Sequence, residues 1–315
     1  MSAPAPSSAE PPGRAAASHA ATRPADVDAF DPDLIPDLEL ALEHDELVLH
    51  YQPEIDLASG AVVAMEALLR WRHPGRGLLW PRDVLPVAAA SGLEGRLGAW
   101  VLRHCVTEAA AWRTLPGRVA DEQRQLWANV SAGQLVEPGF VEEVGAAVAA
   151  AELAPGTLGL EVTEEAIERA GSDAPRLFAA LRDAGVALAV DDFGTWYSSL
   201  ATLGDLPFDA VKLDRTFVRG VGSDLEDDTI VASVVKLAHA HGLYVVAEGV
   251  ESWAEGARLC ELGCDRAHGY LFSGPQESAR ARMLLVRGLG WTTPGLKGMP
   301  NPRTTADQES ATSPG

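Results

Sequence analysis

The stretch VALAVDDFG at residues 186–194 combines five consecutive apolar residues with two adjacent acids, Asp191 and Asp192. A short, continuous run of Val, Ala and Leu is typical of a strand that is buried on both faces, as in a parallel sheet. An amphipathic segment at 174–184 precedes the run and predicts a helix. The local pattern is therefore a helix followed by a buried strand that ends in carboxylates.

The same alternation recurs along most of the chain. The predicted strands are 47–57, 62–71, 126–131, 158–164, 186–194, 210–214, 243–250 and 267–272. The predicted helices are 83–91, 95–113, 134–151, 174–184, 225–241, 252–262 and 276–287. Eight strands that alternate with helices predict the α/β class and a closed barrel of the TIM type.

The first two predicted strands depart from this alternation. They are joined by Ala58, Ser59 and Gly60, a connection short enough for a hairpin. A hairpin reverses the chain, so one of the two strands is expected to run antiparallel to its neighbour. We therefore predict a modified TIM (β/α)8 barrel with one antiparallel strand near the N-terminus.

One domain, residues 33–290, accounts for the whole alternating pattern. Residues 1–32 are rich in Ala and Pro, residues 291–315 are largely polar, and both segments are predicted to be disordered. Too few ordered residues remain ahead of the barrel for a sensor domain. We therefore expect any sensor or effector to be a separate protein.

Composition narrows the class of function. A net charge of −20 argues against binding to a nucleic-acid polymer or to anionic lipid. No run of about 18 apolar residues occurs, and the N-terminus lacks the apolar core of a secretory signal. The three cysteines form no short disulfide framework, which is typical of a reducing compartment. We expect a cytoplasmic protein without a membrane partner.

Polar residues follow the apolar runs at the predicted strand ends. They are Glu66, Asn129, Glu161 with Glu164, Asp191 with Asp192, Lys212 with Asp214, Glu248 with Glu251, and His268. In a barrel of this kind the carboxyl ends of the strands open on one face, where active sites lie. Residues far apart in the sequence are therefore expected to converge there.

Each acid alone is explained as well or better by a cap on the next helix. Together, five carboxylates face little positive charge besides Lys212, and such crowding is unfavourable unless divalent cations offset it. Oxygen ligands favour Mg²⁺ or Mn²⁺ over zinc. Adjacent acids such as Asp191 and Asp192 suit two cations about 4 Å apart that activate water at a phosphoryl group. Lys212 would orient that water or offset charge in the transition state.

The chain also carries a set of spaced motifs. These are YQP (51–53), EALLRW (66–71), HPGRG (73–77), NVS (129–131), LEVTE (160–164), DDFGTWYSSL (191–200), KLDRTFV (212–218), VVAEGVE (245–251), LGCD (262–265) and HGYLF (268–272). With these motifs the chain resembles the EAL-domain phosphodiesterases, which hydrolyse the bacterial second messenger cyclic-di-GMP to linear pGpG. The likeness runs from about residue 47 to residue 275.

The resemblance implies a role for each matching position. The implied ligands of two divalent cations are Glu66, Asn129, Glu161, Asp191, Asp192 and Glu248. Lys212 matches the lysine that contacts the catalytic water, Glu164 an anchor of the loop after Asp192, and Asp214 and Glu251 supporting polar positions. Gln52 and Arg70 match positions on the substrate side and the phosphate side. The family also implies a homodimer.

Two positions depart from the family's pattern. Trp196 replaces the second glycine of DDFGTGYSSL, and a tryptophan either packs without effect or alters how that loop moves. His268 replaces a glutamine, and its imidazole either gives polar support at the edge of the site, on the substrate side, or adds a metal ligand.

Three hypotheses follow for the function. The first is an active cyclic-di-GMP phosphodiesterase, since every implied metal ligand is present. The second is a catalytically weak or inactive domain that serves as a cyclic-di-GMP receptor or a protein-interaction module, motivated by Trp196 and His268. The third is an unrelated metal-dependent hydrolase on a similar barrel, because one fold hosts many reactions.

Overall fold

The structure is a computed structural model that describes residues 31–116, 124–194, 204 and 206–289. Its strands are β1 Leu47–Asp56, β2 Val62–His73, β3 Gly77–Leu79, β4 Gln125–Val130, β5 Leu158–Thr163, β6 Ala187–Phe193, β7 Ala210–Leu213, β8 Tyr244–Ala247, β9 Arg266–Ala267 and β10 Gln276–Glu277. Its helices are α1 Leu34–Ala41, α2 Pro81–Ser91, α3 Glu94–Trp112, α4 Ala132–Leu135, α5 Phe140–Ala150, α6 Glu164–Ala170, α7 Ala174–Asp183, α8 Arg215–Val218, α9 Leu225–Ala240, α10 Trp253–Leu262 and α11 Ser278–Arg287.

Eight of the strands close a barrel in the order β1-β2-β4-β5-β6-β7-β8-β9, with β9 pairing back to β1. β1 is antiparallel to both β2 and β9, and every other pair around the barrel is parallel. This confirms the predicted modified TIM barrel and the antiparallel strand near the N-terminus. β3 and β10 pair with the outer parts of β2 and β1.

Alternation along the strands sorts the side chains between two packing regions. The barrel interior contains a small cluster of Trp127 with alanines 64, 187, 189 and 210. Leu188, Val190 and their counterparts on other strands belong to the larger core that includes the helices, for example Phe178. Because side chains alternate across a strand, Asp191 falls on the inward face that Ala187 and Ala189 define.

Gly159 makes room for Trp127 inside the barrel. A Cβ added to Gly159 on β5 would lie 2.2 Å from the ring of Trp127 on β4. The indole therefore occupies the space that a side chain on β5 would need. Trp127, Gly159 and the four alanines form an apolar layer inside the barrel. The polar side chains that follow on the same strands lie next to this layer.

Two predicted elements are wrong in part. The predicted strand 267–272 contains only Ala267, because the backbone then turns over Val250, and a Cβ on Gly269 would lie 2.2 Å from the Val250 carbonyl oxygen. The predicted helix 134–151 is broken between α4 and α5, where Pro138 is followed by Gly139 with a φ of +91°. Proline lacks an amide proton and a positive φ leaves the helical region, so neither residue continues a helix.

Several predicted segments lie beyond the described residues. The terminal segments predicted to be disordered fall there almost entirely, as does Trp196, and the domain boundaries at 33 and 290 remain predictions. Within the described ranges, no helix combines the length and the apolar character needed to cross a membrane.

Candidate metal centre and active site

Consecutive barrel strands place their polar side chains inward at neighbouring positions. Asn129 of β4 is in register with Glu161 of β5, and Thr163 of β5 is in register with Asp191 of β6. Asn129 lies two residues beyond Trp127, Glu161 two beyond Gly159 and Asp191 two beyond Ala189. These three earlier residues belong to the inward-facing apolar layer. The period-two pattern of the strands therefore brings the polar side chains to one end of the barrel.

Lys212 of β7 lies at the centre of the acidic group and is 1% exposed. Its Nζ is 2.7 Å from Glu248 Oε1, 2.8 Å from Glu161 Oε1 and 3.3 Å from Glu66 Oε2. The Asp191 carboxylate is 3.8 Å away. Four of the five carboxylates that the sequence predicted to converge thus share one ammonium group.

Asn129 is attached to this group through Glu66. Its Nδ2 donates a hydrogen bond of 3.0 Å to Glu66 Oε1, and its amide oxygen is left for another partner. An amide that donates to a carboxylate presents its oxygen as a hard ligand beside that carboxylate.

Asp192 would face away from the interior if β6 alternated regularly. Its φ is +52°, and the register between β6 and β7 shifts between Val190 and Phe193. One carboxylate oxygen from each of Asp191, Asp192 and Glu248 can then lie within 4.8 Å of the others. Asp191 faces the opening by regular alternation, and since the strand continues through Phe193, a local break in register rather than a frayed end turns Asp192 to the same opening.

His268 follows β9 and contacts the opposite side of the same group. Its Nε2 is 2.9 Å from Glu248 Oε1 and 3.5 Å from Glu66 Oε2. Burial alone would lower the pKa of His268, but the charge of Glu248 and its hydrogen bond outweigh burial and raise it. The structure therefore places His268 against two predicted metal ligands.

Burial is the main cause of the electrostatic shifts in this centre. It raises the pKa of Asp191 to about 7, with Lys212 opposing and Glu248 and Glu66 adding to the rise. It also raises the pKa of Glu161, against the charge of Lys212. Glu248 differs, because Lys212 and His268 outweigh its burial and lower its pKa. Lys212 stays charged, since burial is outweighed by the carboxylates, which raise its pKa.

The donor set fits divalent cations. Glu161 Oε2 and Asp191 Oδ1 are buried and make no hydrogen bond to the described residues. Buried carboxylate oxygens that accept no hydrogen bond are costly, and a bound cation would supply what they lack. All the ligand atoms except the imidazole nitrogen are oxygens, which suits Mg²⁺ or Mn²⁺.

The predicted substrate-side residues lie beside this centre on β1 and β2. Gln52 is opposite Glu66 in the antiparallel pair, and its Nε2 donates to the Ser273 carbonyl oxygen at 3.1 Å. Arg70 is four residues beyond Glu66 on the same face of β2 and is 2% exposed. Both side chains are therefore at the rim of the acidic group.

The supporting residues turn out to lie at helix starts. Glu164 is buried at the first position of α6, where the helix dipole favours a carboxylate. Asp214 caps α8, and its Oδ1 accepts from the Thr216 amide at 2.9 Å. Glu251 precedes α10, and its backbone amide donates to Glu255 Oε2 at 2.8 Å.

A cavity of about 410 Å³ adjoins the acidic centre. Asn129, Asp191 and Asp192 line one side, and apolar side chains of α2 and α3, among them Leu85 and Leu97, line the other. The cavity offers an apolar wall next to candidate metal ligands.

Sequence reasoning missed one residue beside the predicted set. The guanidinium carbon of Arg70 lies 4.1 Å from the centroid of the Trp80 ring. Trp80 precedes Pro81 at the start of α2, and no periodic pattern marks it. In the sequence, the available signal for Trp80 was an aromatic residue directly before a proline that can start a helix.

The fold and the acidic centre define an α/β barrel with a candidate divalent-cation site at the carboxyl ends of its strands. The EAL domain family matches residues 36–275, and the chain belongs to that family. This confirms the resemblance that the motifs predicted.

Three curated relatives illustrate the similarity. An uncharacterized protein of Mycobacterium tuberculosis is 42% identical over 248 residues, which cover 79% of this chain and 39% of that protein. The cyclic di-GMP phosphodiesterase NbdA of Pseudomonas aeruginosa is 42% identical over 239 residues, 76% of this chain and 30% of NbdA. The bifunctional diguanylate cyclase/cyclic di-GMP phosphodiesterase MucR of the same organism is 40% identical over 242 residues, 77% and 35% of the two chains. The chain thus matches well under half the length of each relative.

Solved structures show the same barrel. The PaMucR phosphodiesterase in complex with c-di-GMP aligns with a TM-score of 0.74 and 38% identity, covering 79% of this chain and 99% of that chain. The EAL domain of Mycobacterium smegmatis DcpA aligns with a TM-score of 0.64 and 39% identity, covering 77% and 98%.

Proposed function

We propose that this chain is a phosphodiesterase that hydrolyses cyclic-di-GMP to linear pGpG with two divalent cations, Mg²⁺ or Mn²⁺. The observation that carries the proposal is the buried group of four carboxylates around Lys212, in which oxygens of Glu161 and Asp191 accept no hydrogen bond from the described residues. The names of NbdA and of the PaMucR complex support cyclic-di-GMP as the substrate.

The inward side chains of the barrel would hold the cations. The proposed ligands are Glu66, Asn129, Glu161, Asp191, Asp192 and Glu248. Bound cations at such a site supply an activated water and offset the charge of the phosphoryl group. Asp192 belongs to the set because its positive φ turns it toward Asp191 and Glu248.

Lys212, Glu248, Glu164 and Asp214 are the proposed catalytic and supporting residues. Lys212 keeps its proton among the carboxylates and so places a fixed positive charge where negative charge develops on the phosphoryl group. Glu248, held by Lys212 and His268, is positioned to accept a hydrogen bond from the attacking water. Glu164 and Asp214 fix the starts of α6 and α8, the segments that follow β5 and β7.

Gln52, Arg70 and His268 are the proposed contacts to substrate. Arg70 offers a guanidinium group to a phosphate, and Gln52 an amide to a base or ribose. The apolar wall of the 410 Å³ cavity fits the face of a planar base.

We further propose that the chain acts in the cytoplasm as a homodimer, with sensor or effector proteins as further partners. The test of the homodimer is sedimentation of the purified chain at several concentrations. A monomer at all concentrations would contradict it.

The test of the activity is incubation of purified protein with cyclic-di-GMP and either Mg²⁺ or Mn²⁺, followed by mass detection of pGpG. Asp191→Asn should abolish detectable turnover, because it removes the charge of a proposed metal ligand. Glu277→Gln, at an exposed pair with Arg72, is the matched control and should leave turnover unchanged. Metal-dependent binding of cyclic-di-GMP without product would favour the receptor hypothesis instead.

A further inference from the structure

Arg70 is a buried cation with few partners. Its Nη1 donates to the Leu69 carbonyl oxygen at 2.7 Å, and its Nε is buried without a hydrogen bond. No carboxylate in the described part of the chain forms an ion pair with it. Burial lowers the pKa of Arg70, with Tyr270 and Glu66 opposing from a distance. A buried guanidinium in this state is costly unless something else compensates its charge.

Trp80 supplies part of that compensation. The guanidinium carbon lies 4.1 Å from the centroid of its ring, which is the geometry of a cation–π contact. The backbone of Trp80 is held at the start of α2, since its amide donates to Asp83 Oδ2 at 2.9 Å and Pro81 follows. The indole is therefore a fixed support for one face of the guanidinium.

One nitrogen of Arg70 remains for a ligand. Nη2 makes no hydrogen bond to the described residues, and Arg70 as a whole is 2% exposed. Arg70 also lies on the face of β2 that carries Glu66, at the rim of the metal centre. An anion bound at Nη2 would supply the missing counter-charge next to that centre.

We propose that Trp80 is a positioning residue for Arg70, which it holds with one N–H group directed to a phosphate oxygen of the cyclic dinucleotide. This rests on the proposed function. The indole fixes the plane of the guanidinium and partly compensates its charge. A carboxylate, by contrast, would neutralise that charge. A phosphate therefore finds an unpaired cation whose orientation is already set.

The test is the steady-state kinetics of Trp80→Leu and Trp80→Phe with cyclic-di-GMP. Trp80→Leu should raise KM about 3- to 30-fold, the range that a cation–π contact supports, and change kcat less than about twofold. Trp80→Phe keeps an aromatic face and should recover most of the loss. Leu78→Ala, at a neighbouring exposed position of β3, is the control and should leave KM unchanged.

A double-mutant cycle with Arg70→Met separates action through Arg70 from direct contact with substrate. If Trp80 acts through Arg70, Trp80→Leu should change kcat/KM less than about twofold in the Arg70→Met background. Equal effects in both backgrounds would overturn the proposal in favour of direct stacking on a base. An unchanged KM in Trp80→Leu would also overturn the proposal. A lowered KM would overturn it as well, because it would mean that the indole shields Arg70 from the substrate.

The outcomes remain distinct from those for the proposed function. If the wild-type protein hydrolyses cyclic-di-GMP and the Trp80 variants behave like it, only the role of Trp80 is wrong. If the wild-type protein gives no pGpG with either metal, the proposed function is wrong before any variant is compared. Thermal melts of each variant are the control for unfolding: a variant that is folded at the assay temperature owes its kinetic change to the substitution itself.

Discussion

Lys212 and Glu161 form an ion pair between two residues that are each 1% exposed, with 2.8 Å between Nζ and Oε1. Glu66 and Glu248 contact the same ammonium group. The folded protein therefore depends on Lys212 as the cation of a buried, mainly anionic centre, apart from any role in catalysis.

Replacing Lys212 by Met should destabilise the metal-free protein by about 3–5 kcal/mol, because it leaves buried carboxylates without their counter-ion. Urea unfolding in the presence of a chelator measures this loss. Lys236→Met, at an exposed position of α9, is the control. The double variant Lys212→Met/Glu161→Gln should recover part of the loss, and a Lys212→Met variant as stable as wild type would contradict this account.

Glu161→Gln should have opposite effects on stability and on metal binding. It removes one of the carboxylates that crowd Lys212, so the melting temperature in chelator should rise, by about 2–4 °C for each kcal/mol gained. The same change removes a proposed ligand, so Mn²⁺ should no longer raise the melting temperature. A variant that Mn²⁺ stabilises as much as it stabilises wild type would exclude Glu161 as a ligand.

The ion pair of Glu108 with Arg282 should make stability depend on pH, because it ties α3 to α11. Burial alone would raise the pKa of Glu108, but hydrogen bonds from Arg282, Trp112 and Ser278 outweigh it and lower the pKa. The unfolded chain therefore takes up this proton at a higher pH than the folded chain does. The contribution is complete above the unfolded pKa and is lost as the pH falls through the folded pKa.

Glu108→Gln should accordingly cost about 1–3 kcal/mol at pH 7, the range for hydrogen bonds to a charged group. The difference from wild type should shrink below about pH 4, where the carboxyl group of the unfolded chain is protonated. Urea unfolding across this range measures both effects. Glu168→Gln, at an exposed position in the middle of α6, should show a difference near zero at every pH, whereas a constant cost for Glu108→Gln would refute the linkage.

Gly269→Ala should destabilise the protein by about 3 kcal/mol, because the added Cβ would lie 2.2 Å from the Val250 carbonyl oxygen and the backbone must move. The movement would also shift His268 from Glu248, so affinity for Mn²⁺ should fall. Unfolding experiments and calorimetry measure the two effects. Gly75→Ala is the control, since its nearest neighbour would be 3.7 Å away, and equal effects of both changes would count against a close approach at Gly269.

The sequence predicted most of the barrel because its signals there are local. Buried parallel strands have continuous apolar runs, and the short 58–60 connection requires an antiparallel pair. The segment after Ala267 was predicted wrongly because its apolar residues line a turn over Val250, which only a packed structure contains. Pro138 and Gly139 are local signals of a break, but apolar residues at helical spacing occur on both sides of them, so periodicity alone predicts one helix over 134–151.

By itself the sequence determined which strands carry carboxylates and Lys212, since side chains alternate and the carboxyl ends of barrel strands share one face. Only the tertiary structure decided that Lys212 contacts Glu66 across 146 positions of sequence, that Asp192 turns inward, and that Trp80 covers Arg70. These relationships depend on a register shift and on distances between residues that no local pattern connects. The physical reason is that strand periodicity sets the direction of a side chain, whereas the packing of neighbouring strands sets what it meets.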